Sequence, residues 1–240
     1  MTRYLSIGIG PERTTPPTPA EIELIEEELR NGPLLAIEGC LPTERGALVR
    51  RDGDTVTVTD GPFSEAKEVV GGVGIIEAGS LDEAVKFAAR LMETAGIDMM
   101  SEVRELWPEP ALAEEPGRDH RGRGRFMTIF RAAEREAPPS QEEMAAMGQL
   151  IDEFVRDGKL VTTEGCLPSR LGARVRIEGG TVTVTDGPFT ESKEVVGGFA
   201  ILAADSKEEA IELTKRFLAV AGDGESEIRE LFTEEAPARE

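Results

Sequence analysis

The chain has 240 residues, 31% of them charged, and a formal net charge of -20. A negative charge of this size repels nucleic-acid phosphates and anionic membrane surfaces, so neither is an expected partner. The same charge is typical of a protein that stays soluble at high concentration. No stretch approaches the roughly 18 apolar residues of a membrane-spanning helix, and the N-terminus has no apolar secretion signal. These features predict a cytoplasmic protein.

The first half of the chain predicts a strand, a helix and a second strand. Leu5, Ile7 and Ile9 alternate as a half-buried strand requires. Thr18-Pro19-Ala20-Glu21 has the form of a helix N-terminus, with a capping threonine, a proline in the first turn and a glutamate that completes a capping box. A short buried strand is expected at 34–37. The apolar residues expected to face the core from the helix are Ile22, Ile25 and Leu29.

A hairpin and a second strand–helix–strand segment follow. Ala47–Arg51 and Thr55–Thr59 flank the turn Asp52-Gly53-Asp54, which is typical of a hairpin. Gly71-Gly72 precedes a further strand, and Ser80 begins a second capped helix. The strand that closes this half is expected at 102–107.

The second half repeats the first. Residues 38–78 and 164–204 are identical at 28 of 41 positions, at a constant offset of 126 and without a gap. The chain is therefore a tandem duplication. We expect a first copy at 1–107, a linker at 108–124 that is rich in arginine, a second copy at 125–233 and an acidic tail at 234–240. Any site must then occur twice or be built between the copies.

The predicted order of elements defines an α+β fold. Each copy is expected to be a ferredoxin-like β-α-β-β-α-β domain with an extra hairpin and with both helices on one face of its sheet. The strands carry apolar residues on both sides, so the face without helices also needs a cover. Packing of the two sheets against each other, as a pseudo-dimeric α/β barrel within one chain, is the simplest arrangement that supplies one.

The repeated motif resembles a known family. Asp-Gly-Pro-Phe, followed by Glu-x-Lys-Glu and a Gly-Gly strand, is similar to the DGPF branch of the YCII-related proteins, and Glu-Gly-x-x-Pro ahead of the hairpin fits the same pattern. The resemblance implies a ferredoxin-like fold in a dimeric α/β barrel and no settled activity. Genes of this branch often lie beside those of extracytoplasmic-function sigma factors. Some relatives carry a histidine–aspartate pair, but neither first helix of this chain contains a histidine.

Asp60 and Asp186 are the candidate catalytic residues. Each ends a strand and precedes Gly-Pro, where its carboxylate either accepts hydrogen bonds from its own turn or acts as a base at the rim of a cleft. Phe63 and Phe189 follow them, either as core side chains or as an aromatic wall for a ligand.

Four further residues are candidate ligand contacts. Lys67 and Lys193 precede a glutamate, and only one residue of each Lys-Glu pair can face a given pocket; an exposed ion pair is the alternative. Glu38 and Glu164 end strands beside Gly-Cys and could form a carboxylate pair with one of the aspartates. Hydrogen-bonded surface glutamates are the alternative reading.

No cofactor or metal is expected. The two cysteines, Cys40 and Cys166, occupy equivalent positions and are too few for a zinc site, and the single histidine, His120, lies in the linker. The first hypothesis is a protein that binds a small molecule near the two Asp-Gly-Pro-Phe turns. A cofactor-free lyase or isomerase acting on a small cyclic substrate is the second, and a protein-interaction module in sigma-factor-linked regulation is the third. Whether the protein is an enzyme stays open, and further homo-oligomerisation is possible.

Overall fold

The computed structural model describes residues 1–13, 17–63, 68–108, 123–134, 139–189 and 194–232. The helices are α1 (Pro19–Asn31), α2 (Leu81–Ala95), α3 (Gln141–Arg156) and α4 (Lys207–Ala221). The strands of the first copy are β1 (Thr2–Gly10), β2 (Leu34–Gly39), β3 (Ala47–Asp52), β4 (Thr55–Asp60), β5 (Val69–Ala78) and β6 (Met99–Glu105). Those of the second are β7 (Gly124–Ala132), β8 (Leu160–Gly165), β9 (Gly172–Glu178), β10 (Thr181–Asp186), β11 (Val195–Ala204) and β12 (Gly224–Glu230).

The strands form two six-stranded antiparallel sheets. The strand order is β10-β9-β6-β1-β5-β2 in one sheet and β4-β3-β12-β7-β11-β8 in the other. With the four helices, this is an α+β protein whose two sheets fit two domains of ferredoxin-like type, as the sequence predicts.

The two copies exchange their hairpins. The β9–β10 hairpin of the second copy pairs with β6 of the first, and the β3–β4 hairpin of the first pairs with β12 of the second. Unit 1 therefore consists of Met1–Gly39, Ser64–Glu109 and Cys166–Ser192, and unit 2 of Cys40–Phe63, Pro110–Gly165 and Lys193–Glu240. The copies predicted at 1–107 and 125–233 are contiguous in sequence, whereas the compact units are not.

Each unit has its own apolar core between helices and sheet. In unit 1, Ile76 of β5 and Ala88 of α2 pack with Val175, which comes from the incoming hairpin. In unit 2, Leu202 of β11 and Leu218 of α4 pack with Val49 of the other hairpin. Each exchanged hairpin thus supplies part of the core that it joins, and hairpin and core stabilise each other through buried apolar area.

Helix α1 begins as the sequence predicts, and α3 begins in the same way. Thr18 accepts a hydrogen bond from the N–H of Glu21, and the Glu21 side chain accepts one from the N–H of Thr18. Ser140 and Glu143 form the same reciprocal pair at the start of α3. These capping boxes satisfy backbone donors that have no partner inside the helix.

The side of α1 that faces the core differs from the predicted one. Ile22 and Leu29 are 46% and 44% exposed, so their assignment to the core is wrong, whereas Ile25 packs against the core of unit 1. Glu21 and Glu28 are buried in their place. The helix is rotated toward these carboxylates because each has a cationic partner, which removes the penalty of burying an unpaired charge.

Those partners lie outside α1. The Glu21 carboxylate accepts hydrogen bonds from the guanidinium of Arg13, with 2.8 Å between Nη2 and Oε2. Glu28 forms an ion pair with Arg90 of α2. The hydrogen bond from Arg13 is the largest cause that lowers the pKa of Glu21 to about 2.

A cut in the linker should not separate the two copies. With a protease site inserted between residues 109 and 122, the cleaved fragments should elute together in native size-exclusion chromatography, since β6 pairs with β9 and β3 with β12. Denaturant should release them. Fragments that elute apart without denaturant would contradict the exchange.

The Glu21→Gln variant should lose stability in a pH-dependent way. A folded-state pKa of about 2, below the ordinary value of 4.5, stabilises the fold above pH 4.5, and this contribution disappears as the pH falls toward 2. We expect a loss of about 2 kcal/mol near neutral pH, measured by urea unfolding, and almost none near the lower pKa. Glu23→Gln, at an exposed position of α1, is the matched control. A loss for Glu21→Gln that does not change with pH would contradict this role of the carboxylate.

Candidate functional site

The two Asp-Gly-Pro-Phe turns directly follow the outer strands of the exchanged hairpins. Asp60 ends β4 and Asp186 ends β10, and both residues are exposed. The Asp60 carboxylate lies 2.9 Å from the Nζ of Lys207 at the start of α4. In the first copy, Leu81 occupies the position of Lys207. The Asp186 turn of unit 1 therefore has no cation from this position.

A close backbone contact requires the glycine of each turn. A Cβ added to Gly61 would lie 1.7 Å from the carbonyl oxygen of Thr43. A Cβ added to Gly187 would lie 1.9 Å from the carbonyl oxygen of Ser169. No side chain fits at such a distance. The Gly-Pro peptide bond that follows is cis in both turns.

The phenylalanine of each turn is tied to the same neighbour. The N–H of Phe63 donates to Oγ1 of Thr43 at 3.4 Å, and the N–H of Phe189 donates to Oγ of Ser169 at 3.3 Å. Thr43 and Ser169 each begin a short 3-10 turn just before their hairpin. The motif therefore closes the base of the hairpin, and these contacts need no ligand.

The two phenylalanines differ in burial. Phe189 is 5% exposed and Phe63 is half-buried. The guanidinium carbon of Arg174 lies 4.1 Å from the centre of the Phe189 ring, and that of Arg104 lies 6.0 Å from it. A cation over an aromatic face is attracted by the quadrupole of the ring. Phe189 therefore serves as a packing partner of two arginines.

These arginines belong to a buried arginine–glutamate cluster in unit 1, formed by Glu102, Arg104 and Arg174. Nη1 of Arg104 donates to Oε1 of Glu102 at 3.0 Å, and Nη2 of Arg174 donates to Oε2 at 2.9 Å. Nη2 of Arg104 also donates to the carbonyl oxygen of Leu167 at 2.7 Å. Glu102 and Arg104 are almost fully buried. Because Arg174 and Leu167 come from the second copy, the cluster binds one copy to the other.

Unit 2 contains the corresponding cluster with a different second arginine. Glu227 accepts from Nη1 of Arg229 at 3.2 Å and from Nη1 of Arg131 at 3.1 Å. Nη2 of Arg229 donates to the carbonyl oxygen of Leu41 at 2.7 Å. The hairpin position that supplies the second arginine in unit 1 is Leu48 here. A buried glutamate with two arginine partners is thus common to both units. The second arginine lies on the hairpin strand β9 in unit 1 and on β7 in unit 2.

The sequence analysis did not identify these clusters, although it contains a signal for them. Glu102-Val103-Arg104 and Glu227-Ile228-Arg229 occupy matching positions in the last strand of each copy. Residues two apart in a strand point to the same face, so glutamate and arginine meet there. An apolar residue between them on the opposite face is typical of a strand that is buried on both sides.

Glu38 and Glu164 occupy equivalent positions near the ends of β2 and β8. Glu164 is buried and Glu38 is half-buried. Their backbones explain the second glycine of the Gly-Gly pair in the neighbouring strand, because a Cβ at Gly72 or Gly198 would lie 2.4 Å from the glutamate carbonyl oxygen. The pairing of these carboxylates with an aspartate stays a prediction.

The glutamates next to the predicted lysines contact the exchanged hairpins. Glu68 accepts a hydrogen bond from Nη1 of Arg176 at 2.8 Å, and Glu194 accepts one from Nη2 of Arg50 at 2.9 Å. The negative partners raise the pKa of both arginines. Each pair joins residues from different copies, so it adds to the attachment of the hairpin. The predicted residues Lys67 and Lys193, and the linker with His120, lie outside the described residues.

A cavity of about 30 Å³ lies inside unit 2, between its sheet and helices α3 and α4. Its walls are mainly apolar and include Leu150 and Phe154 of α3 and Phe217 of α4. Since a water needs about 10–15 Å³, the cavity has room for about two. None of the residues predicted from the sequence as site residues lines it.

Three threonines line this cavity. Thr163 donates to the carbonyl oxygen of Phe199 at 3.0 Å, and Thr214 donates to that of Ala210 at 2.8 Å. Thr128 of β7 is 4% exposed, and its Oγ1 has no hydrogen-bond partner among the described residues. A buried hydroxyl without a partner costs about 1–3 kcal/mol.

The equivalent positions in unit 1 are different. Thr163 and Thr214 correspond to Ile37 and Ala88 at the offset of 126. The strand registers align Thr128 with Ser6, whose Oγ lies 2.8 Å from Oγ of Ser101. The three threonines of the cavity therefore have no threonine counterparts in unit 1, whereas the sequence predicts that a site occurs twice or is built between the copies.

Neither a metal-ligand cluster nor a membrane-spanning helix occurs among the described residues. In the part of the chain that the structure covers, no group of three or more His, Cys, Asp or Glu side chains is placed to hold a metal ion. No described helix has both the length and the apolar character needed to cross a membrane.

Comparison with known proteins decides the family. The sequence model of the YCII-related domain matches the chain twice, at residues 13–106 and 125–234. The chain belongs to the YCII-related family. The domain is matched once in each half of the chain, so the predicted tandem duplication is confirmed.

The YCII-related chain is also similar to two individual proteins. It is 37% identical over 75 residues to an uncharacterised protein of Rhizobium meliloti (strain 1021), a match that covers 31% of this chain and 60% of that relative. The crystal structure of an anthrone oxidase-like protein aligns with all of this chain and 97% of that chain, at 14% sequence identity and a TM-score of 0.36.

Truncation of the two turn phenylalanines should have unequal effects. Phe189→Ala removes a buried ring from between two arginines and should lower the free energy of unfolding by about 3 kcal/mol. Phe63→Ala removes a half-buried ring and should cost less than half as much. Urea unfolding of the two variants of this YCII-related protein measures the difference. Equal losses would contradict the role given to Arg174 and Arg104.

Proposed function

We propose that the protein binds a small, mainly apolar molecule with one hydrogen-bonding group in the cavity of unit 2. The observation that carries this proposal is the buried Thr128 hydroxyl, which lines an apolar cavity without a partner among the described residues. Ligand sites commonly combine apolar walls with a few placed polar groups. The Thr128 hydroxyl can donate to or accept from the ligand.

The volume of the cavity limits the ligand. At about 30 Å³ it takes a group of a few heavy atoms as it stands. Met147 of α3 is half-buried at its wall, and methionine side chains adapt readily because they are unbranched and flexible. A ring-sized ligand would enter by displacing Met147 toward solvent. Phenol and cyclohexanol have the required combination of an apolar ring and one hydroxyl.

The Asp-Gly-Pro-Phe turns are the alternative location. A lyase or isomerase with Asp60 or Asp186 as its base remains a second hypothesis, favoured by the exposure of both carboxylates. The pairing of Asp60 with Lys207 supports the structural reading of that turn. Membership of the DGPF branch, the packing of the two units as a dimeric α/β barrel and a role as an interaction module in sigma-factor-linked regulation also stay predictions.

A thermal-shift experiment with simple probes tests the cavity. Phenol and cyclohexanol should raise the melting temperature of the wild type by binding the folded state. They should stabilise Thr128→Val less, whereas toluene, which has no hydroxyl, should affect both proteins equally. Without probe, Thr128→Val should be about 1 kcal/mol more stable because it removes the unpaired hydroxyl.

Two controls separate the alternatives. Ala200→Leu fills the cavity and should remove the effect of every probe. Asp60→Asn and Asp186→Asn should respond to the probes like the wild type. If the aspartate variants lose the response and Thr128→Val keeps it, the ligand site lies at the turns. If no probe stabilises the wild type more than it stabilises Ala200→Leu, the cavity does not bind molecules of this class.

A further inference from the structure

Strand β10 is an edge strand without the features that usually prevent pairing. It is the outermost strand of its sheet, and all six of its residues are exposed. Thr181–Thr185 is an uncharged run of β-branched residues, and the register with β9 has no bulge. Natural edge strands are commonly protected by lysine, proline or a bulge. β10 has none of these within its five-residue run.

The free edge has a defined set of hydrogen-bonding groups. The hairpin loop consists of Gly179 and Gly180, both with positive φ, so Thr181 and Glu178 form the first hydrogen-bonded pair. Backbone direction alternates along a strand, so the N–H and C=O groups of Val182 and Val184 point away from β9. These groups can bond an added antiparallel strand.

The sequence of β10 is complementary to itself. In an antiparallel pair centred on Thr183, Val182 of one molecule lies opposite Val184 of the other, and the outward backbone groups of these residues meet. The two valines are 36% and 50% exposed. Their neighbours on β9, Ile177 and Val175, belong to the core of unit 1. Pairing would therefore extend an existing apolar face across the contact.

Charge distinguishes β10 from β4, which has the same sequence. In the pair centred on Thr183, Asp186 falls opposite Gly180 of the second molecule, so no like charges meet. The same pair through β4 would place Asp60 opposite Asp54, and like charges opposite each other are destabilising. We propose that the edge of β10 is a docking surface for the same edge of a second molecule of this chain. This proposal is independent of the cavity and of any ligand.

The contact should be weak and strengthened by salt. A pair of six-residue strands buries less area than a standard stable interface, so the dimer should appear only at high protein concentration. Each molecule carries a net charge of -20. Salt screens the repulsion between two such molecules and should increase the dimer fraction.

Sedimentation with a matched pair of variants tests the surface. The wild type should move from 25.9 kDa toward twice that mass as protein and salt concentrations rise. Thr183→Glu places two carboxylates opposite each other and should keep the protein monomeric. Thr57→Glu in β4 is the control, since Thr57 lies opposite Arg50 as Thr183 lies opposite Arg176. A wild type that stays monomeric throughout, or equal dissociation by both variants, would overturn the proposal.

A cysteine at position 183, the centre of the proposed β10–β10 pair, provides a second test. Its readout is the formation of a covalent dimer and not the loss of a dimer. Residue 183 lies opposite itself at a non-hydrogen-bonded position, where two Cβ atoms approach closely enough for a disulfide. Thr183→Cys should form a covalent dimer under mild oxidation faster than Thr57→Cys, with the wild type as the baseline for Cys40 and Cys166. Equal rates for the two variants would overturn the proposed register.

Discussion

The structure depends on backbone hydrogen bonding between the last strand of each copy and the hairpin of the other. β6 holds β9, and β12 holds β3, so neither six-stranded sheet contains the strands of one copy alone. The side chains follow this pairing. The Glu102–Arg174 contact, the ion pairs made by Glu68 and Glu194 and the apolar contacts of Val175 and Val49 all join residues from different copies.

The buried arginine–glutamate clusters have a more specific role than a simple gain in stability. Burial of an ion pair costs desolvation energy that its attraction repays only with good geometry and further hydrogen bonds. Glu102 meets this condition because both of its oxygens accept from arginines, and Arg104 also donates to a backbone carbonyl. Loss of one partner would leave a buried charge unpaired. The clusters therefore favour this strand pairing over others that bury the same apolar area.

The two units share their turns and strands because of the duplication, but they differ in the residues between helices and sheet. The turns, their glycines and the Glu-x-Arg strands are common to both. The helix–sheet interior is not: unit 1 buries Glu21 and Glu28 of α1, whereas unit 2 buries Leu150 and Phe154 of α3 and contains the cavity. A site that serves one molecule of ligand per chain needs this kind of asymmetry.

The sequence predicted the local structure well because its signals are local. Capping residues predicted where helices begin, and alternating apolar residues predicted the strands. The repeated Asp-Gly-Pro-Phe motif indicated the family. The exchange was not predictable in this way, since the TVTVT strand of the hairpin is identical in both copies and does not indicate which sheet it joins. The side of α1 was misjudged because Arg13 and Arg90, which allow glutamates to be buried, lie outside the helix. The Thr128 hydroxyl was not predicted, because the lack of a hydrogen-bond partner depends on residues that are distant in the sequence.

The exchanged hairpins also determine when the protein can fold during synthesis. Domains usually fold in order as they leave the ribosome. Here β3 and β4 emerge early, but their partner β12 follows all the other described strands, so the sheet of unit 2 cannot be completed until β12 has emerged. Unit 1 can be completed sooner, once β9 and β10 have emerged. Until β12 has emerged, the first hairpin is a pair of unprotected strands, and its exposure to chaperones and to aggregation should increase with the time taken to translate the second copy.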